Sequence, residues 1–193
     1  MKRLGIFGGT FNPPHSGHLI VARHVAKRLR LERVFFVPSY ISPHKRRGEE
    51  RLSSHRLKMV KLAVAEDPLF EVWEGEMRRK GPSYTYRTLE EFAERFPKTH
   101  LFFLIGADNF PDFKHWKLPG RILELATLVV MSRPDAKLQR SGRPRHSAIR
   151  FVSVPRVNTS SSRVRAAVKK GEPIVDLVPP GIAKYIRRHG LYR

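Results

Sequence analysis

The chain has 193 residues, 40% of them hydrophobic, a length that builds one well-cored α/β domain over 1–193 and argues against a second independent one. It has no cysteine, which excludes a disulfide framework, a thiol nucleophile and a thiolate zinc site. Its formal charge of +21 favours anionic partners, but the basic residues are spread along the whole chain and fit a solvated surface equally well, so charge alone does not name a ligand.

Leu4-Gly5-Ile6-Phe7 predicts a first buried strand. From 17 to about 31, Leu19, Ala22, Val25, Ala26 and Leu29 recur at helical spacing. Residues 34–37, stopped by Pro38, read as a second strand; a polar loop with Pro43 and a charged run over 44–51 follows. Ser53 or Ser54 is expected to cap a helix that turns Leu57, Val60, Ala63 and Val64 inward. A strand is predicted over 70–73, a turn over 80–83, and a helix over 85–96 with Leu89, Phe92, Ala93 and Phe96 in phase. Residues 101–105 make the clearest buried strand and end in Gly106-Ala107-Asp108. A short helix over 121–125, a strand over 128–131, a long basic loop over 134–145 and a last strand over 151–154 follow, then helices over 161–170 and 182–189.

Continuously apolar strands alternating with amphipathic helices indicate a parallel sheet covered on both faces. The expected fold is α/β, a Rossmann-like, doubly wound parallel sheet with helices on both faces. Ligands of such folds collect at the carboxyl ends of the strands, where Gly8 onward, Gly106 to Asp108, Arg133 and residues 158–162 should share one edge. No run approaches the roughly 18 apolar residues of a membrane helix, and residues 4–7 are too short for a signal-peptide core. A cytoplasmic protein with no membrane partner is expected.

The run Gly8-Gly9-Thr10-Phe11-Asn12-Pro13-Pro14-His15-Ser16-Gly17-His18 carries the chemistry. Strand, glycine-rich turn and helix start in that order make an anion site, because free N–H groups and the helix dipole point at the same place. The turn matches neither the P-loop nor the dinucleotide fingerprint. His15 and His18 lie at the helix mouth; each imidazole can donate a hydrogen bond to a phosphoryl oxygen, and a protonated one adds charge. The pair could also be part of a metal site, but the turn has no carboxylate or cysteine to complete one, and no resident metal is expected. Near the other end, Thr159-Ser160-Ser161-Ser162-Arg163-Val164-Arg165 is a second strand-to-helix junction with hydroxyl caps and an arginine one turn in.

Together the two segments resemble the signatures of the nucleotidyltransferase superfamily with an (H/T)xGH motif. The middle of the chain is similar to the bacterial nicotinate-nucleotide adenylyltransferase family. The matching stretches are Phe36-Val37-Pro38 with Pro43-His44-Lys45, Pro82-Ser83-Tyr84-Thr85 with Thr88-Leu89, Gly106-Ala107-Asp108-Asn109 with Trp116, and Ser132-Arg133-Pro134. Two departures stand out: Asn12 replaces a frequent Asp, and Thr159 the usual Ile.

The resemblance implies roles. Gly8, Thr10, Phe11 and Gly106 would line the ATP cleft, with His15 and His18 around the reacting α-phosphorus. Ser160, Ser161 and Arg165 would hold the outer phosphates. Asp108 would bind a ribose hydroxyl or merely cap its turn, and Arg133 would lie near the adenine or serve only the surface. On the acceptor side, Lys45 would reach phosphate or belong to a solvated charge run. Trp116 would stack on a pyridine ring, and the backbone at Thr85 would meet a nicotinate carboxylate unless Thr85 only caps its helix. The implied partners are ATP and nicotinic acid mononucleotide, with Mg²⁺ arriving on ATP. The implied reaction gives deamido-NAD and pyrophosphate in NAD biosynthesis. Nicotinamide mononucleotide or phosphopantetheine as acceptor remain rivals, as does a basic nucleic-acid-binding protein, although no specific nucleic-acid motif is present. A homo-oligomer stays open.

Overall fold

The computed structural model describes residues 1–43, 49–132 and 147–193. Lys45, Arg133 and the basic loop 134–145 lie outside the described residues. The strands are β1 (Arg3–Gly9), β2 (Arg33–Pro38), β3 (Phe70–Val72), β4 (His100–Gly106), β5 (Thr127–Ser132) and β6 (Ile149–Ser153). They pair in parallel, in the order β3-β2-β1-β4-β5-β6. The helices are α1 (Ser16–Leu29), α2 (Ser53–Val64), α3 (Gly75–Arg79), α4 (Thr85–Arg95), α5 (Pro119–Leu125), α6 (Ser161–Lys169) and α7 (Pro180–Arg188).

Strand alternation divides the core between two faces. Val34 and Phe36 of β2, Phe102 and Leu104 of β4, and Val129 of β5 pack with Ala22, Val25 and Ala26 of α1 and Val60 of α2. Their neighbours Phe35, Val37, Leu101, Phe103, Ile105 and Val130 point the other way, against Leu89 and Phe92 of α4 and Ile122 of α5. That is why these strands are apolar throughout: each successive side chain has a helix to meet. Fully burying a side chain such as Phe36, Phe102 or Leu104 contributes about 1.5–3 kcal/mol. A third cluster joins Met59 of α2 to Val164 of α6 and Ile182 and Ile186 of α7. It ties the C-terminal helices to α2.

β1 has β2 on one side and β4 on the other, so the winding reverses there. A crevice opens beyond the carboxyl ends of strands at such a reversal. At Gly5 a Cβ would come within 2.9 Å of the Leu31 side chain and 3.1 Å of Val34, so glycine in the central strand lets those side chains pack closely over it.

Several expectations shift. Gly8 and Gly9 belong to β1, paired with Val37 and Pro38, and the turn proper begins at Thr10. Neither Ser53 nor Ser54 caps α2: the chain runs into it through a 3₁₀ turn (Glu49–Leu52), which leaves Leu52 at the cap position. Tyr84, not Thr85, holds the cap position of α4, and Thr85 is its first helical residue. The five-residue α3 is too short to show a helical period in sequence.

Candidate active site

A cleft of about 1480 Å³ lies at the carboxyl edge of the sheet. Gly8, Thr10, Phe11, His15 and His18 line one end, and Gly106, Asp108, Trp116 and Thr85 line it further along. Phe11 has φ of +50°, a conformation that side chains disfavour, and its ring is buried against Phe7 and Phe36. The ring folds back over Gly9, where a Cβ would lie 3.0 Å from it. Anchoring the ring in the core leaves the Phe11 backbone at the cleft, and the surrounding packing offsets the strain.

His15 precedes α1 and His18 lies in its first turn. The His15 amide donates to His18 Nδ1 at 3.1 Å, and the His18 amide donates to the His15 carbonyl at 2.9 Å. Their rings lie 3.6 Å apart between centroids, and His18 meets Phe11 edge-on at 5.0 Å. Gly17 is required here, since a Cβ would stand 3.0 Å from His15 Nδ1 and 3.1 Å from Thr159 Cγ2. Because Nδ1 of His18 accepts, the neutral ring carries its proton on Nε2, a donor for an incoming oxygen.

Burial pushes the His15 imidazole down to about 4. Burial, with the neighbouring His15, holds His18 well below the ordinary histidine value. Both rings are therefore neutral near pH 7 in the free protein, so of the two roles open to them in the sequence they hold that of hydrogen-bond donor. Imidazole resonances of His15 should titrate with a midpoint near 4, and those of His18 well below the ordinary histidine value, because the buried site disfavours the charged form. A midpoint near 6.5 for either ring would contradict this account. The sign for stability follows: an unfolded-state histidine titrates near 6.5, so His15 makes the fold lose stability as pH falls from there toward 4.

The second signature closes onto the first. Arg165 donates to the Asn12 carbonyl at 2.8 Å, and the Ser161 hydroxyl donates to the Pro13 carbonyl at 2.8 Å. Two helix mouths, far apart in sequence, thus meet at one cleft, with Arg165 and Ser161 in its wall. Ser160 does not join that wall: it is exposed, and its Oγ accepts from the Arg163 amide at 3.1 Å as the cap of α6. Tyr192 donates to Asn12 Oδ1 at 2.6 Å, so the residue that departs from the family pattern is held by the chain's last turn.

At the end of β4, the Asp108 carboxylate folds over Gly106, where a Cβ would meet it at 2.3 Å. Asp108 is exposed at the cleft and free to take a ligand hydroxyl, with Asn109 3.5 Å away. Trp116 is half-buried rather than exposed, its ring against Phe103 and Phe113. It is at once an edge of the core and a wall of the cleft.

Arg56 went unread in the sequence. It is fully buried and donates to the carbonyls of Thr10 (2.8 Å), Ser39 (2.6 Å) and Tyr40 (2.9 Å). Its one signal is an arginine at the inward phase of α2, one turn before Val60.

A cleft at the switch point of a parallel sheet, with two helix mouths and paired imidazoles, is suited to a ligand that carries phosphates. The cytidylyltransferase-like family model matches residues 6–167. The nicotinate-nucleotide adenylyltransferase of Bacillus subtilis is 37% identical over 192 residues, covering 100% of this chain and 99% of that protein. The probable nicotinate-nucleotide adenylyltransferase of Thermus thermophilus is 42% identical over 191 residues, covering 99% and 100%. The solved Plasmodium falciparum nicotinic acid mononucleotide adenylyltransferase complexed with NaAD shares the fold at a TM-score of 0.79 and 20% identity, over 100% of this chain and 98% of that one. The chain belongs to the nicotinate-nucleotide adenylyltransferase family of cytidylyltransferase-like enzymes.

Proposed function

We propose that this enzyme transfers the adenylyl group of ATP to nicotinic acid mononucleotide, giving deamido-NAD and pyrophosphate in NAD biosynthesis. The observation that carries the reading is the joining of the two helix mouths through Arg165 to Asn12 and Ser161 to Pro13, inside a cleft that continues to Trp116 and Thr85. One anion site serves the reacting phosphorus and the adjoining one the departing pyrophosphate. The reading also takes 1–193 as one catalytic domain in the cytoplasm. Among the described residues, no helix is long and apolar enough to cross a membrane.

The acceptor's 5′-phosphate is its own nucleophile, since a phosphate monoester has a second pKa of about 6 and is largely dianionic near pH 7. Its oxygen bonds to the α-phosphorus as the bond to the pyrophosphate oxygen breaks, so no general base and no covalent intermediate are required. The protein's task is to align two anions and stabilise the charge that spreads over the transferring group. His18, with Nε2–H as donor, and His15 serve the α-phosphoryl oxygens; Arg165 and Ser161 serve the outer phosphates; Asp108 serves a ribose hydroxyl. Thr85 and Trp116 serve the pyridine ring and its carboxylate. Mg²⁺ would arrive with ATP and would supply charge neutralisation at the phosphates, beside Arg165 and the two helix mouths.

The test is a panel of acceptors with ATP labelled at the α-phosphate: nicotinic acid mononucleotide, nicotinamide mononucleotide and phosphopantetheine. Label should pass to nicotinic acid mononucleotide with the highest kcat/KM. Faster transfer to either of the others would overturn the assignment.

A further inference from the structure

Glu76 is a buried carboxyl in the cleft wall that the transfer chemistry does not use. It follows the start of α3, and its partners lie on the segment that reaches the acceptor end. Thr88 of α4 donates its hydroxyl to Glu76 Oε1 at 2.7 Å, and the Ser83 hydroxyl also bonds the carboxylate. Each hydroxyl is engaged from its other side as well. The Tyr40 amide donates to Ser83 Oγ at 2.9 Å, and Arg79 Nη2 donates to Thr88 Oγ1 at 2.9 Å. A hydroxyl has one proton, so with those donors in place both protons turn toward Glu76. Arg79 is in turn paired with Glu91, whose other oxygen accepts from Trp73 Nε1 at 3.2 Å. Burial raises the Glu76 carboxyl above its ordinary value, against the pull of the two hydroxyls and Arg79.

The backbone of the turn between these hydroxyls is tied by the Ser83 amide on the Ile41 carbonyl at 2.9 Å, the Tyr84 amide on the Pro82 carbonyl at 3.1 Å and the Arg87 amide on the Tyr84 carbonyl at 3.2 Å, and the two hydroxyls add side-chain ties at Ser83 and Thr88. Ser83, Tyr84, Thr85 and Thr88 all line the cleft. We infer that Glu76 is a positioning residue: by drawing in the hydroxyls of Ser83 and Thr88 it fixes the backbone at 83–85 for the acceptor's ring, without touching the transferred phosphate. The inference rests on the function proposed above and assigns one residue to acceptor affinity alone.

Glu76→Gln keeps the shape but replaces one acceptor oxygen with a donor, so one of the two hydroxyls must turn away. The expected result is a rise of about tenfold in KM for nicotinic acid mononucleotide, the scale of one hydrogen bond to a charged group, with KM for ATP and kcat within about twofold of wild type. Ser83→Ala removes the same tie from the other partner and should reproduce the split should the Gln variant fold poorly; thermal melting of each variant reports that. An unchanged acceptor KM in folded variants, or equal rises in both KM values, overturns the inference. Wild-type turnover with this acceptor is the control: its absence overturns the functional reading itself, whereas wild-type turnover with unaltered variant KM values overturns only the role of Glu76.

Discussion

His18→Ala is expected to lower kcat by about 100- to 1000-fold, the loss seen when one preorganised donor to a developing charge is removed. The His15 amide occupies Nδ1 of His18, so the ring's proton faces outward on Nε2, and the stacked His15 ring and the Phe11 edge hold the plane. A donor fixed in this way needs no reorganisation when charge builds on the α-phosphoryl oxygens. His18 lines the cleft and belongs to none of the hydrophobic clusters, so its removal should leave the fold standing. Turnover at saturating substrates, with thermal melting as control, checks the expectation. A folded variant with near-wild-type kcat would contradict the role given to His18.

Arg56→Met is expected to be the most destabilising substitution near the site. Methionine fills most of the volume but leaves the Thr10, Ser39 and Tyr40 carbonyls without their guanidinium donors. Each orphaned acceptor costs about 1 kcal/mol or more, so a total near 3 kcal/mol is expected. For a chain of this length that lowers Tm by about 6–12 °C. Because Thr10 begins the phosphate turn and Ser39 and Tyr40 directly follow β2, kcat should fall as well, through displaced backbone rather than lost charge. Arg56→Lys should recover only part of the loss, since an ammonium cannot span three carbonyls with a planar fork. A Tm within about 2 °C of wild type for the methionine variant would show that the network carries little.

The fold was legible because its strands bury both faces and its longer helices show a clear stripe. Val34 to Val37 and Leu101 to Ile105 could only be parallel-sheet strands, and α1 shows Ala22, Val25, Ala26 and Leu29 in phase. The two phosphate-facing signatures were legible as strand–turn–helix junctions, and their meeting through Arg165 and Ser161 follows from both lying at one sheet edge. The remaining features depend on distant backbone, which leaves no local pattern. Arg56 serves carbonyls 16 and 17 residues away directly after β2 and 46 away in the first turn. Glu76 is invisible because α3 is five residues long and its partners sit beyond the next turn. The depressed titration of the histidines is a property of burial, which residue type alone does not show. Ser160 and Ser161 are adjacent and chemically alike, yet helix phase makes one a cap and the other a part of the cleft.

The most direct test of the central claim is the fate of label in one reaction of the wild-type enzyme with nicotinic acid mononucleotide, Mg²⁺ and ATP labelled at either the α- or the γ-phosphate. The account predicts that α-label appears in deamido-NAD and γ-label in pyrophosphate, in equal amounts and at equal rates. Release of γ-label as free phosphate, or α-label left in AMP without a dinucleotide, would contradict it.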